Sequence, residues 1–338
     1  MNYFEYARSL RRINQPELAD KDELIQTLLR YATLAPSGHN TQSWCFRVEG
    51  DYLYLLADLN RRTAVVDPDD HHLFVSLGCA AENLALAAAA LGVGQDVETI
   101  DGNEPGYRLL LKQSPTVPSP LFDAITQRQS TRSEYDGSSV DDSDLNLLEQ
   151  VGNGNGVSVR LLTRPDEIAK VLELMTRANA IQIKDRSFRR ELESWIRFSD
   201  AEAIKRGDGL SARVTGNPAC PRGLGKWLFR ASLRAGSENA KLTRQVISSA
   251  GLAVLISEGD DPRHWAQAGR NFQRLALQAT ALGLKHAFLN QVVEVASVRA
   301  ELASFLEVDS GRPDLLIRFG RAPLMPYSLR RPLSEVFQ

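Results

Sequence analysis

The sequence predicts an α+β fold in which two pseudo-equivalent mixed α/β units, each a sheet covered by helices, lie in one chain. Three observations carry this prediction. Helix-like and strand-like segments alternate from end to end, with no strand-only region. The helix-like runs 77–93 and 268–284 match at a constant offset of 191, with eight of seventeen positions identical. Their flanks match too. Each follows an Asp-Pro helix start (Asp67-Pro68, Asp261-Pro262), is preceded by a strand-like run (52–57, 252–257), stops at a Leu-Gly pair and is followed by another strand candidate (107–111, 314–319). The two units are placed at 1–118 and 119–338.

In the first unit, Asp20-Lys21-Asp22-Glu23 opens a helix, with Asp20 as the cap. Leu24, Ile25, Leu28, Leu29 and Ala32 form its apolar stripe. A polar stretch, 35–44, leads into strands at 44–49 and 52–57. In the second unit, Asp141-Asp142-Ser143-Asp144 opens a similar helix with the stripe Leu145, Leu147, Leu148 and Val151. A bare Gly152-Asn153-Gly154-Asn155-Gly156 run then precedes a strand at 157–162. Residues from about 176 to 249 have no counterpart in the first unit. They hold helix-like pieces (188–198, 224–233) around a Gly/Pro-rich loop, 207–223, and an insertion this long reads as functional cover. A strand at 285–289 and a helix at 294–306 complete the second unit before its last strand.

Composition excludes several functions. The 338 residues carry 40 Lys+Arg against 42 Asp+Glu, a formal net charge of −2, so bulk electrostatics supplies no grip on nucleic acid or an anionic membrane. Hydrophobic residues at 43% and charged residues at 24% exclude disorder and low complexity. Three widely spaced cysteines, Cys45, Cys79 and Cys220, suggest neither a disulfide framework nor a zinc site and fit a reduced, cytoplasmic setting. The N-terminus lacks the apolar core of a signal peptide. The most apolar stretch, 73–91, is interrupted by Glu82 and Asn83 and reads as a buried core helix.

The polar stretch 36–44 turns through Pro36 and Gly38 while presenting Ser37, Asn40 and Gln42. Such a loop either offers several donors and acceptors to one flat polar ligand or is a helix-to-strand turn using these residues for their backbone preferences. Its run Leu34-Ala35-Pro36-Ser37-Gly38-His39-Asn40-Thr41-Gln42-Ser43-Trp44 closely resembles the Ala-Pro-Ser-x-x-Asn-x-Gln-Pro-Trp motif of the nitroreductase family of FMN flavoproteins, with Ser43 in place of the usual Pro. Arg128-Gln129-Ser130-Thr131-Arg132 resembles that family's opening Arg-Arg-Ser-x-Arg motif. Arg318-Phe319-Gly320-Arg321-Ala322-Pro323 with Ser328-Leu329-Arg330-Arg331-Pro332 resembles its closing strand and basic tail. The resemblance is closest to the Acg-like branch, whose members carry two nitroreductase-like units in one chain.

This resemblance implies a nitroreductase-like fold in which one chain mimics the family's dimer, with a helical lid. It implies one FMN per chain at the seam between the units, because the intact loop lies in the first unit and the intact basic motifs in the second. Arg8-Ser9-Leu10-Arg11, the first unit's version of the opening motif, is altered. By the resemblance, Arg128, Ser130 and Arg132, with Ser328, Arg330 and Arg331, take the FMN phosphate and ribityl chain, for which guanidinium groups are suited. Pro36, Ser37, Gly38, His39, Asn40 and Gln42 meet the flavin, and Leu289, Asn290 and Gln291 pass its ring, a backbone N–H there polarising N5. Asn290 equally suits a helix cap. No side chain is assigned a catalytic role.

The implied activity is an FMN-dependent oxidoreductase that passes hydride from NAD(P)H through flavin N5 to a small electron acceptor such as a quinone or nitroaromatic. The alternative is an FMN-binding or sequestering protein with little turnover, in which Trp195, Phe198, Trp227 and Phe229 of the insertion fold over the ring. A monomer acting as a pseudo-dimer is the expected assembly. Asp69-Asp70-His71-His72 reads as a solvated helix start and not a metal site, because consecutive residues cannot all face one ion. No metal is expected. Gly223-Leu224-Gly225-Lys226 lacks the phosphate-loop spacing.

Overall fold

The computed structural model describes residues 2–14, 16, 20–94, 96–102 and 104–338. Met1, the first residue of the charged N-terminal stretch, lies outside the described residues. In chain order the first half contains α1 (Tyr3–Ser9), α2 (Lys21–Thr33), β1 (Trp44–Glu49), β2 (Tyr52–Ala57), α3 (His71–Leu91), β3 (Val97–Ile100), β4 (Gly106–Leu110) and α4 (Pro120–Ala124). The second opens with α5 (Asp142–Gly152) and β5 (Val157–Leu162). It continues through α6 (Pro165–Lys184), α7 (Arg186–Trp195), β6 (Ile196–Arg197), α8 (Asp200–Arg206), β7 (Leu210–Ser211), α9 (Arg222–Ser232) and α10 (Ala235–Ile247). It closes with β8 (Gly251–Ser257), α11 (Pro262–Ala281), β9 (Lys285–Phe288), α12 (Gln291–Glu294), α13 (Ala296–Phe305), β10 (Arg312–Gly320) and α14 (Leu333–Val336).

Each half forms a four-stranded antiparallel sheet, in the order β1-β2-β4-β3 and then β5-β8-β10-β9. Both orders place the four successive strands as first, second, fourth and third, so the repeat legible in the helices extends to strand pairing. The halves differ at two connections: β3 and β4 are joined by a short loop whereas α12 and α13 lie between β9 and β10, and the first hairpin differs as well. Between β1 and β2 the chain turns at Gly50, whose φ of +59° suits a tight hairpin. Between β5 and β8 the equivalent turn is replaced by residues 163–250, so the insertion starts earlier than the expected position near 176 and includes all of α6.

The two repeated helices, α3 and α11, pack against each other through the positions the offset aligns. A Cβ on Gly78 would lie 1.8 Å from the Ala266 carbonyl oxygen, and one on Gly269 would lie 2.0 Å from that of Val75. The two backbones therefore approach more closely than any side chain permits. Beside this crossing Glu82 accepts from Arg270 Nε at 2.9 Å and Arg274 Nε at 2.6 Å, and Gln273 Nε2 donates to Asn83 Oδ1 at 2.6 Å. The polar residues that interrupt the apolar run 73–91 are thus the ones that fix the register of the two units. Helix α3 is long and apolar enough to cross a membrane by length and composition, and 78% of its most apolar window is buried inside the fold.

Several boundaries differ from the sequence reading. Asp67 caps α3 as expected, accepting from His72 N at 3.0 Å and Leu73 N at 3.1 Å, but Pro68 stays outside the helix because Asp70 turns through φ 62°. His71 and His72 are buried, so this helix start is not solvated. The helix expected at 294–306 breaks at Val295 into α12 and α13. Leu147, expected on the buried stripe of α5, is 39% exposed. The C-terminal tail crosses back to the first sheet, where Gln338 N donates to Phe46 O at 2.9 Å. That return brings 325–331 under the 36–42 loop.

Candidate functional site

The loop after α2 is held in an unusual shape. His39, Asn40 and Gln42 have φ of 49°, 55° and 53°, the left-handed region that costs a side-chain-bearing residue about 1–2 kcal/mol. Such a loop persists only when its surroundings over-determine it. Here Gln42 N donates to Ser37 Oγ at 2.9 Å and Gly38 N to Ser76 Oγ at 3.3 Å. Asn40 Nδ2 donates to the carbonyls of Gly209 (3.1 Å) and Leu329 (3.2 Å). Gln42 Nε2 donates to Gly207 O at 2.9 Å, and its Oε1 accepts from Arg331 N at 2.9 Å.

This loop walls two adjoining cavities. The larger, about 280 Å³, is lined by Pro36, Ser37, Gly38 and His39 from the first unit and by Arg132, Phe288, Asn290 and Gln291 from the second. The smaller, about 40 Å³, is lined by Arg11, Asn40, Arg128, Ser130, Ser328 and Arg330 among others. Pro36, Ser37, Arg132, Leu210 and Phe288 line both, so the cavities are contiguous at the seam between the units.

The smaller cavity is strongly cationic. Four arginines line it, and no carboxylate does among the described residues. Arg11 Nε, Arg128 Nε and Nη1, and Arg132 Nη1 are buried with no hydrogen-bond partner. Burial, and then the neighbouring Arg128, pushes Arg11 down to about 9, while burial lowers Arg128 to about 10 with Arg132 contributing. Burial also lowers Arg132, with Arg318 adding to the shift. Orphaned guanidinium donors and mutually repelling charges define a site that fits an anion. A phosphate suits them through bidentate, charge-assisted bonds.

The candidate residues separate into two groups. Pro36, Ser37, Gly38, His39, Asn40, Arg128, Ser130, Arg132, Asn290, Ser328 and Arg330 all line one or both cavities. Gln42 and Arg331 do not; Gln42 is fully buried between the loop and the tail, and Arg331 Nη1 donates to Gln42 O. Leu289 is a core residue whose N–H donates to Leu316 O at 2.8 Å, so of the three backbone donors expected near the ring the sheet takes up that of Leu289. Asn290 is the N-cap residue of α12, its carbonyl accepting from Val293 N at 2.9 Å and Glu294 N at 2.8 Å, while its side-chain Oδ1 accepts from Leu316 N at 3.1 Å instead of capping the helix.

Arg330 lines the smaller cavity but spends its donors on the protein. Its Nη2 donates to Leu34 O (2.8 Å) and Ala35 O (3.1 Å), its Nε to Thr33 O and its Nη1 to Leu329 O (2.8 Å). It therefore caps the C-terminal end of α2, where helix carbonyls lack partners. Arg330→Ala leaves several buried carbonyls unsatisfied at about 1–3 kcal/mol each, and the expected result is a melting temperature of the flavin-free protein lowered by several degrees. Arg132→Ala, measured the same way, is expected to cause no such loss.

Arg11 was missed as a site residue although its Arg8-Ser9-Leu10-Arg11 segment is the counterpart of the second unit's basic motif. Also missed were Phe288, Leu210 and a polar end of the larger cavity, where Gln182 Nε2 donates to Glu294 at 2.6 Å and His72 Nε2 lies 3.5 Å from Glu294. Burial, reinforced by Asp67 and Glu191, raises the Glu294 carboxyl to about 7. His39 is lowered to about 4 by burial and by Arg132, so its imidazole is neutral at pH 7.

The insertion covers the larger cavity with Asn179, Gln182, Ile183, Phe188, Leu192, Leu210, Leu233 and Glu238. The aromatic cover expected from Trp195, Phe198, Trp227 and Phe229 is absent from that lining. Trp195 lies under Arg61 and Arg197, Phe198 and Phe229 pack edge to face, and Trp227 is 65% exposed. The cover is pinned to the first unit by Glu191, which accepts from Val65 N and Val66 N at 2.9 Å, and by Asp208, which pairs with Arg61 and Arg197.

No family model matches the chain. It is 27% identical over 94% of its length to the Mycobacterium tuberculosis (strain H37Rv) protein named "Putative NAD(P)H nitroreductase Rv3131", covering 91% of that protein. It is 24% identical over 95% of its length to the "Putative NAD(P)H nitroreductase acg" of the same strain, covering 97% of that protein. The chain is similar to nitroreductases of the Acg-like branch. Among solved structures, the FMN-dependent nitroreductase NfnB from Mycobacterium smegmatis, in complex with NADPH, is 15% identical with a TM-score of 0.43, over 65% of this nitroreductase-like chain and 97% of NfnB.

Proposed function

We propose that this nitroreductase-like chain is an FMN-dependent oxidoreductase that takes hydride from NAD(P)H and passes it to a small electron acceptor such as a quinone or nitroaromatic. One flavin would bind per chain at the seam, with a monomer standing in for the family's dimer. The observation that carries this reading is the cluster of orphaned guanidinium donors opening into a larger cavity walled by both units. Arg128, Arg132 and Arg11, with Ser130 and Ser328, would hold the phosphate, while Pro36, Ser37, Gly38 and Phe288 would border the ring. When bound, FMN supplies hydride acceptance and donation at N5.

The protein's own groups orient, exclude water and hold a proton. The left-handed loop at 39–42 sets the wall of the ring cavity, and the insertion keeps bulk water from it. Glu294, protonated up to about pH 7, holds its proton on a carboxyl oxygen facing the acceptor space. His72, Gln182, Asp67 and Glu191 are the groups around it. Acceptor reduction is therefore expected to fall as pH rises through about 7, and Glu294→Gln is expected to flatten that limb; steady-state rates between pH 5.5 and 8.5 check this.

The decisive experiment mixes the purified, FMN-loaded protein with NADPH or NADH in the absence of oxygen. Rapid loss of the yellow absorbance supports turnover. Persistent colour with both donors overturns the oxidoreductase reading in favour of flavin sequestration beneath the closed cover.

A further inference from the structure

Helix α7 has two working faces. Phe188 and Leu192 point into the larger cavity, whereas Arg186, Arg189, Arg190 and Glu193 line a separate groove of about 730 Å³ on the outside of the insertion. Phe229 and Arg230 of α9, and Leu233 just beyond it, form the opposite wall. Glu193 is the groove's only acid among the described residues, and it is already paired with Arg230 at 2.7 Å and Lys226 at 3.4 Å. The guanidinium groups of Arg186, Arg189 and Arg190 have no hydrogen bond or ion pair among the described residues. Three like charges within five residues of one helix repel at this spacing and gain nothing from the fold.

Leu233 lines both the groove and the larger cavity, so the two meet at one wall. A helix with its side chains is about 10–12 Å across, and an extended nicotinamide dinucleotide is longer than that. With its nicotinamide in the larger cavity, the adenosine end would emerge on the outer side of α7. We infer that this arginine groove binds the adenosine 2′-phosphate and pyrophosphate of NADPH and so selects NADPH over NADH, with Phe229 offering an aromatic surface to the adenine. The inference rests on the larger cavity being the flavin site, and it places donor selection in the insertion instead of the repeated core.

The test uses FMN-loaded protein and calorimetric titration with 2′,5′-ADP, 5′-ADP and inorganic phosphate. These probes carry no nicotinamide, so binding is read without any flavin reduction, while bound FMN is followed separately by its absorbance. The expected result is that 2′,5′-ADP binds about ten- to a hundredfold tighter than 5′-ADP, the contribution of one or two charge-assisted bonds. Arg189→Ala with Arg190→Ala, on the outer face of the insertion, is expected to erase that preference while FMN content is unchanged. Equal binding of 2′,5′-ADP and 5′-ADP, or a double variant that keeps the preference, overturns the inference. Phosphate binding as tightly as 2′,5′-ADP does so too, because it marks a general anion site. Loss of FMN from the unmodified protein would instead count against the flavin reading.

Discussion

Arg128→Ala combined with Arg132→Ala is expected to yield a colourless protein that is still folded. The two side chains supply three of the four orphaned guanidinium atoms in the smaller cavity, and Arg132's guanidinium has no hydrogen bond or ion pair among the described residues. A hydrogen bond to a charged group contributes about 1.5–3 kcal/mol, so losing two weakens FMN binding about a hundred- to ten-thousandfold. The fold should not suffer in proportion. Burial has pushed both guanidinium groups below their ordinary values, Arg128 to about 10, so at neutral pH the confinement of the Arg128 charge without an anion is a constant cost. Removing Arg132 relieves part of that repulsion. The measurement is FMN stoichiometry by absorbance after gel filtration, alongside the far-ultraviolet circular dichroism and melting temperature of the flavin-free protein. Retention of one FMN per chain by the double variant would refute the phosphate assignment.

The second large effect falls on stability. Gly78→Val and Gly269→Val, each alone, are expected to prevent the two units from docking. A Cβ at either position would meet a backbone carbonyl at 1.8 or 2.0 Å, and a carbonyl within a helix cannot step aside as a side-chain tip can. Overpacking of a well-filled core costs about 1–3 kcal/mol, and more when backbone must move. Because the helices cross at the seam, separating them also disturbs the cavity walls contributed by Pro36 and Ser37 on one side and Arg132 and Phe288 on the other. Both variants should therefore lose thermal stability and FMN together, unlike the Arg128→Ala, Arg132→Ala double variant, which loses FMN alone. The readout is the melting temperature with and without added FMN, and normal flavin binding by either valine variant would show that the crossing does not set the seam.

Much of the fold was legible in the sequence because its determinants are local or repeated. Strands β1, β2 and β5 fall where the strand-like runs of the sequence placed them, and α2 begins at the Asp20 cap. The 191-residue offset identified the two helices as repeats of each other, whereas their packing through Gly78 and Gly269 emerged only from the structure. Short elements such as β3 escaped notice because Val97–Ile100 forms a strand only by pairing with β4. The His71-His72 start was misread as solvated because nothing local reveals that Asp314, 243 residues away, approaches His71 to 2.8 Å.

By itself, the sequence determined that the chain is a duplicated α+β unit with a polar turn in one copy and basic motifs in the other, since periodicity, caps and repeats are properties of neighbouring residues. Tertiary structure decided which of those polar groups line the seam cavities and which hold the scaffold. Gln42 sits in the same motif as Ser37, and Arg330 is a basic-motif arginine like Arg132, yet Gly207 of the insertion and Arg331 of the tail take up the Gln42 amide, and the carbonyls at the end of α2 take up the Arg330 guanidinium. A donor's partner depends on which distant backbone folding brings within 3 Å, and spacing along the chain carries no record of that.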